Sequence, residues 1–276
     1  VSKSNFLCLE GNMTKILKEQ EVRQFRSEGY LFPKRAINED EAADCLRQLE
    51  AYEAQLGHEA QNHVRFKFHL VFNWALKIAR NDAILDAVED LIGPDILLFA
   101  GSIWTKDARD PRFVAWHQDS AYFELAPTEE ITAWVAITDS RPDNGCLRLL
   151  PRSHLGENMS HIERKGDDNL LVFGQRIQGI DDDLGVDAEL SPGEFSLHHE
   201  RTAHSSRPNT SSRRRVGLSL FYIPTSVRST SIRRSALLVR GEDRYGNWDP
   251  DPLPRYDLDP ITFNHMKKCL GTYVHA

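Results

Sequence analysis

ILLFAGSIW, residues 96–104, breaks the texture of the chain. From it onward the apolar residues come in short runs rich in aromatic and β-branched side chains: FVAWHQD (113–119), ITAWVAIT (131–138), CLRLLP (146–151), EFSLHH (194–199) and RVGLSLFYI (215–223). Runs of this length, bounded by Pro, Gly, Asp and Asn, are strand signals. Six or more of them with irregular connections predict a mainly β domain with flanking helices, a sandwich or jelly roll.

Upstream the period changes. EQEVRQFRSE (19–28) carries Val22 and Phe25 and stops at Gly29, which suits a short surface helix. Residues 39–56 place Ala42, Cys45, Leu46, Leu49 and Tyr52 along one helical stripe. A third helix fits 81–92, with Asn81 or Asp82 as cap and Gly93-Pro94 as terminator. The 276 residues therefore divide, within one domain, into a mostly helical part (1–95) covering an outer face of the barrel, a β core (96–230) and a C-terminal extension (231–276). A polar insertion at 155–186, with Gly166-Asp167-Asp168 and Asp181-Asp182-Asp183, interrupts the core; loops this long are usually functional or mobile.

A formal charge of −7 argues against a nucleic-acid surface, and Arg213-Arg214-Arg215 is too short a basic run to make one. Cys8, Cys45, Cys146 and Cys269 lie far apart without a C-x-x-C pair and read as reduced thiols. No window approaches the roughly 18 apolar residues of a membrane span, and VSKSNFLCLEG lacks a signal-peptide core. The expectation is a cytoplasmic protein that acts on a small molecule, with no nucleic-acid or membrane partner; its oligomeric state is not readable.

His117-Gln118-Asp119 raises the question of a metal. With 11 histidines and 41 acidic residues in 276, chance alone supplies roughly 1.6 H-x-[DE] triplets. The chain has three, the others being His161-Ile162-Glu163 and His198-His199-Glu200. Strand geometry favours the first, since i and i+2 share a face and can offer an imidazole and a carboxylate to one ion. Two histidines and one carboxylate on one side of an ion leave its other positions open, as in non-haem Fe(II) oxygenases. His204 is the best third ligand, with His198 and His199 as competitors.

Such iron chemistry needs a cosubstrate, and 2-oxoglutarate carries a far carboxylate that a planar guanidinium binds bidentately. In RVGLSLFYI, alternation sets Arg215, Gly217 and Ser219 on one face and Val216, Leu218 and Leu220 on the other. Arg215 is the candidate, Arg213 shares its parity, and Arg214 faces away. Without a partner, an inward arginine is a costly buried charge.

Taken in order, EVRQFRSEGYLFP, WHQD, ITAWVAITDSRPDNGCLRLLPRSH and HSSRPNTSSRRR resemble the phytanoyl-CoA dioxygenase family of Fe(II)/2-oxoglutarate oxygenases over most of the chain. The resemblance implies a double-stranded β-helix of the cupin-like, jelly-roll kind. It also implies iron held by His117, Asp119 and His204, with Arg215 as the 2-oxoglutarate arginine. Trp134 matches an aromatic lining the family's cosubstrate pocket, and Lys106 a lysine often found before the H-x-D strand; with Arg215 both are candidate cosubstrate-binding residues. Asn144-Gly145-Cys146 and Pro151-Arg152-Ser153-His154 match architectural turns. In halogenating relatives a small residue replaces the carboxylate; Asp119 fills that position here, so hydroxylation is expected.

The activity this implies is hydroxylation of an unactivated C–H by O2, with release of succinate and CO2 and no side-chain general acid or base. Arg201, Arg207, Arg213, Arg214, Lys106 and Arg109 lie near the pocket strands in sequence and suggest a small anionic substrate such as a phosphonate or carboxylate. Tyr122, Phe123 and Arg201 are candidate substrate contacts, and 155–186 a candidate lid. Two alternatives stand beside this reading: a zinc hydrolase on the same three ligands, and a jelly-roll binding protein without catalysis.

Overall fold

A computed structural model describes residues 14–163, 168–171 and 174–273. Helix α1 (Glu19–Glu28) closes on Gly29 at φ 87°, a left-handed position that glycine adopts without strain. Strand β1 (Tyr30–Arg35) follows, then α2 (Glu39–Leu56), capped by the Asn38 side chain on the Glu41 amide. One turn, α3 (Gln61–Val64), precedes α4 (Asn73–Ala79) and α5 (Asp82–Ile92), the last capped by Asn81. All three helices expected from sequence form; α3 and α4 are too short to show a period.

The core strands are β2 (Ile96–Lys106), β3 (Val114–His117), then after the turn α6 (Ser120–Phe123) the short β4 (Leu125–Ala126), β5 (Ile131–Ala136) and β6 (Leu147–Leu149). Past β6 come β7 (His161–Glu163), β8 (Gln175–Ile177), β9 (Val186–Ala188), β10 (Glu194–His199), β11 (His204–Ser206) and β12 (Arg215–Pro224). The chain ends with β13 (Arg228–Ser229), β14 (Ser235–Arg240), β15 (Asp249–Pro250) and α7 (Pro260–Tyr273).

A large sheet runs β1-β10-β5-β12-β2-β14-β15, and a smaller one runs β3-β11-β6-β9. Their inner faces meet around a cavity lined from both, which makes the expected jelly roll. Alternation sorts β12 as predicted: Val216, Leu218, Leu220 and Tyr222 join the main apolar cluster with Val22, Phe25, Leu49, Ile84 and Val88 of the helices. The Tyr222 hydroxyl donates to the Ala79 carbonyl, 2.8 Å away. The helices thus cover one outer face, and the opposite face of β12 is left for the cavity.

The sequence boundaries are crossed twice. β1 lies in the part read as helical but pairs with β10 at the sheet edge, where Pro33 removes no needed ladder bond. β14 lies beyond residue 230 but pairs with β2. Insertion 155–186 carries the β7–β8 hairpin; Gly166 and Asp167 lie outside the described residues. Among the described residues no helix is long and apolar enough to cross a membrane, and Cys45 and Cys146 are buried without a disulfide. Cys8 lies outside the described residues.

A buried ion pair pins the C-terminal segment. The Lys67 ammonium sits 2.5 Å from Asp251 Oδ2, with both side chains fully buried, and donates to the Ser235 carbonyl at 2.9 Å. Burial alone would raise the Asp251 carboxyl, but Lys67 and His265 hold it at about 2. Lys67→Met leaves this carboxylate buried without its cation, and a loss of about 3–5 kcal/mol is expected, read as a lower urea midpoint. For a carboxyl depressed on folding, that stability is present above its unfolded pKa of about 3.9 and is lost as pH falls toward about 2.

Candidate metal and cosubstrate site

His117 is the last residue of β3 and His204 the first of β11, and the two pair across the small sheet. Their rings stand 4.1 Å apart. Asp119 arrives by a different route from the one expected. β3 ends at His117, and Asp119 has helical backbone (φ −61°, ψ −33°) at the start of α6, so strand parity does not place it. A turn does, locked by Gln118: its buried side chain donates to the Arg201 carbonyl and accepts from the Met159 amide, and its own amide donates to His161 Nε2.

Asp119 Oδ1 lies 3.5 Å from His117 Nε2 and 3.8 Å from His204 Nε2, and the three ligand atoms fall within 4.8 Å of one another. Both distal nitrogens fix the tautomer. His117 Nδ1 is 2.9 Å from the Ala115 carbonyl, and His204 Nδ1 is 2.9 Å from the Thr202 carbonyl. A carbonyl only accepts, so each neutral ring keeps its proton on Nδ1 and turns an Nε2 lone pair toward Asp119. Burial, reinforced by His117, pushes the His204 imidazole well below its ordinary value and keeps it neutral. Two lone pairs and a carboxylate oxygen face one another at distances too long for hydrogen bonds, an arrangement that could hold a metal ion.

The competitors separate by parity. His198 turns inward beside the cluster, its Nε2 3.8 Å from Asp119 Oδ2 and both ring nitrogens without a hydrogen bond. His199 turns away, its ring 5.7 Å from that of His154 and its Nδ1 accepting from the Arg201 amide. His154 also meets the Arg26 carbonyl through Nε2, consistent with an architectural part.

Arg215 opens β12 on the cavity face, 3 % exposed. Its guanidinium stacks over Trp134 at 5.5 Å, and its Nε has no hydrogen-bond partner. No carboxylate pairs with it among the described residues. Burial pushes its pKa down to about 10, so at neutral pH it is a cation without a counter-charge. The other two arginines of the run are spoken for: Arg213 pairs with Asp143 at 2.9 Å, and Arg214, facing out, with Glu53 at 2.7 Å and Asp107 at 2.9 Å.

Trp134 lines the cavity and rests on Gly217, where an added Cβ would stand 2.2 Å from the indole Cζ2. Gly217→Ala must displace the ring, and overpacking costs about 1–3 kcal/mol. The expected outcome is a clearly lowered melting temperature together with weaker quenching of Trp fluorescence by 2-oxoglutarate.

Several sequence candidates sit elsewhere. Lys106 does not line the cavity; its ammonium contacts the Ser206 hydroxyl and the Ser206 and Arg207 carbonyls, and burial with Arg215 nearby pushes its pKa down to about 6. It clamps β2 to the end of β11. Phe123 packs into a second apolar cluster, 5.0 Å from Phe99 and from Phe221, because the turn after Asp119 points it away from the ligands. Tyr122 stands edge-on to His117 at 5.8 Å with its hydroxyl buried and unpartnered. Arg201 donates to Thr128 and does not line the cavity. Arg207 pairs with Asp182, and Arg109 is exposed, so these cations do not converge on the cavity.

Sequence reading missed Trp104, Thr132 and Phe221 in the cavity wall. Strand parity was the available signal for two of them, since Thr132 shares the face of Trp134 and Phe221 continues that of Arg215, Gly217 and Ser219, whereas Trp104 is placed by its register opposite Gly217. The described parts of insertion 155–186 fasten to the site. Asn158 and Met159 bond Ser120 and Gln118, while Asp182 accepts from the Trp116 indole and Arg148.

Comparison with known proteins places the chain in a family. The family model for phytanoyl-CoA dioxygenase matches residues 16–217. A probable alpha-ketoglutarate-dependent hypophosphite dioxygenase from Stutzerimonas stutzeri is 24% identical over 74% of this chain and 77% of its own. The apo structure of the non-heme monooxygenase ThoJ superposes with a TM-score of 0.81 at 32% identity, covering 92% of this chain and 95% of that one. CytC3 with Fe(II) and alpha-ketoglutarate shares the fold at a TM-score of 0.64 and 22% identity, over 88% of this chain and 96% of that one. The chain belongs to the phytanoyl-CoA dioxygenase family of Fe(II)/2-oxoglutarate-dependent oxygenases.

Proposed function

We propose that this chain is an Fe(II)- and 2-oxoglutarate-dependent hydroxylase of a small molecule. In this reading His117 Nε2, Asp119 and His204 Nε2 hold the metal, and Arg215 binds the far carboxylate of 2-oxoglutarate. The observation that carries it is the conjunction of three inward-facing lone-pair donors with a buried guanidinium lacking a counter-charge. The donor set suits Fe(II), being two imidazoles and a carboxylate on one side of a gap. When bound, Fe(II) with 2-oxoglutarate and O2 supplies the oxidising power, giving succinate and CO2.

The chain's own residues do the rest. Arg215 offers a planar pair of N–H donors in a site of low dielectric, where a charge-assisted bond is strong. Trp134 fixes the guanidinium plane by stacking and closes that end of the cavity. Trp104, Val114, Leu147 and Phe221 make much of the remaining wall apolar, broken by Thr132 and the hydroxyls of Ser205, Ser206 and Ser219, which limits water at the reacting C–H. Arg215 is the one lysine or arginine lining the cavity among the described residues, and this reading assigns it to the cosubstrate. The wall therefore favours a substrate that presents an apolar segment, rather than the anion suggested by the arginines in the sequence.

A zinc hydrolase would leave Arg215 with no purpose to offset its desolvation, and Asp119 occupies the position a halide would need. The test is anaerobic titration of the Fe(II) protein with 2-oxoglutarate, followed by aerobic succinate measurement across a panel of small metabolites. A charge-transfer band and substrate-dependent succinate are expected. A flat titration favours the binding-protein alternative, and hydrolysis without succinate favours the zinc enzyme.

A further inference from the structure

Thr132 Oγ1 lies 3.2 Å from Asp119 Oδ2 and 2.9 Å from Glu130 Oε1, and both Thr132 and Glu130 are buried. The other oxygen of Asp119, Oδ1, is the one that faces His117 and His204. His198 Nε2 stands 3.8 Å from Oδ2, beyond hydrogen-bond reach, so the Thr132 hydroxyl is the group that holds this oxygen. We propose that Glu130 and Thr132 form a directed hydrogen-bond chain that ties back Asp119 Oδ2 and leaves Asp119 a one-oxygen ligand through Oδ1. Thr132 and Glu130 are then positioning residues, and the inference rests on the metal-site reading above.

Proton counting sets the direction of the chain. A threonine hydroxyl has one hydrogen and sits here between two carboxyl oxygens. If it donates to Asp119, then Glu130 Oε1 must donate to Thr132, which requires a protonated Glu130. Its surroundings agree: Glu130 is fully buried, its Oε2 has no partner, and no cation pairs with it among the described residues. Burial first, and the nearby Asp119 and Glu200 second, push its carboxyl well above the ordinary value. Glu200 is fixed alongside, accepting from the Glu130 amide through Oε1 and donating its own amide to the Glu130 carbonyl. The chain thus runs from a neutral acid through a hydroxyl to the ligand carboxylate. An oxygen so held cannot swing in to chelate the ion, which keeps a coordination position open for cosubstrate and O2.

The test uses Co(II) as probe, titrated anaerobically into the wild-type protein, Thr132→Val, Thr132→Ser, Glu130→Gln and His117→Ala, with affinity and visible absorption recorded. Val keeps the volume of Thr and removes the hydroxyl; Gln keeps a donor toward Thr132 without a charge. Thr132→Val is expected to bind Co(II) about 10-fold or more weakly, with a changed visible spectrum as Oδ2 is released. Thr132→Ser and Glu130→Gln are expected within about twofold of wild type, because both preserve the donor order. Metal-free melting curves separate these effects from unfolding. Thr132→Val matching wild type in affinity and spectrum overturns the chain, as does a Glu130→Gln loss as large as that of Thr132→Val. The metal-site reading fails separately, if wild type binds no Co(II) or His117→Ala binds it equally well.

Discussion

Asp119→Ala is expected to fold and to lose substrate-coupled succinate production altogether. The carboxylate is the only anion among the three proposed ligand groups, and it faces both imidazole lone pairs through one oxygen. Removing it leaves two neutral donors, and the drop in metal affinity should exceed the roughly 10–100-fold seen when an outer-shell partner is lost. Stability moves in the other direction or barely at all. In the metal-free protein Asp119 is a buried charge, so its removal relieves desolvation, and the Thr132 hydroxyl keeps its hydrogen bond with Glu130, 2.9 Å away. The measurements are the metal-free melting temperature and metal-dependent turnover. Full turnover by Asp119→Ala would remove Asp119 from the ligand set, and a collapsed melting temperature would make its role structural.

Arg215→Met carries the second large effect, and its sign distinguishes a ligand-binding arginine from an architectural one. In the free protein the guanidinium is buried with no counter-charge among the described residues. Replacing it by an apolar chain of similar length should raise the melting temperature of the free protein. With 2-oxoglutarate present the order should invert. Breaking a buried charge pair costs about 3–5 kcal/mol, about 100- to 1,000-fold or more in cosubstrate affinity at 1.4 kcal/mol per tenfold. The thermal stabilisation that 2-oxoglutarate gives wild type, which scales with the logarithm of ligand over Kd, should then vanish. Arg215→Lys should fall between, retaining charge and losing the planar fork. A variant that melts lower without ligand and keeps its 2-oxoglutarate affinity would reassign Arg215 to the fold.

Legibility differed between strands and turns. β12 could be read residue by residue, because strict alternation over a long strand decides which side chains meet the helices and which the cavity. The same alternation turns His198 toward the cluster and His199 away, a distinction that stayed open until their strand was placed. It failed at Asp119, where the strand stops two residues early and a turn held by Gln118 delivers the carboxylate to the expected place by a different backbone path. It failed too for the basic residues. Sequence proximity gathered Arg201, Arg207, Arg213 and Arg214 around the site, but whether a charge is available depends on carboxylates remote in sequence, such as Glu53, Asp143 and Asp182.

Composition, period and spacing marked a mainly β domain with helices on an outer face and put forward His117, Asp119, His204 and Arg215 as candidates, and the resemblance in motif order implied the jelly roll. These are properties of single strands and of residue chemistry, and local stereochemistry prints them along the chain. Tertiary structure alone decided that Lys106 clamps two strands, that Phe123 belongs to the core, and that Thr132 and Glu130 stand behind the Asp119 carboxylate. Each depends on which residue lies opposite across a sheet or a turn. Register and partner choice are set by the packing of the whole domain, because a buried polar group takes whichever partner the fold brings within hydrogen-bond reach.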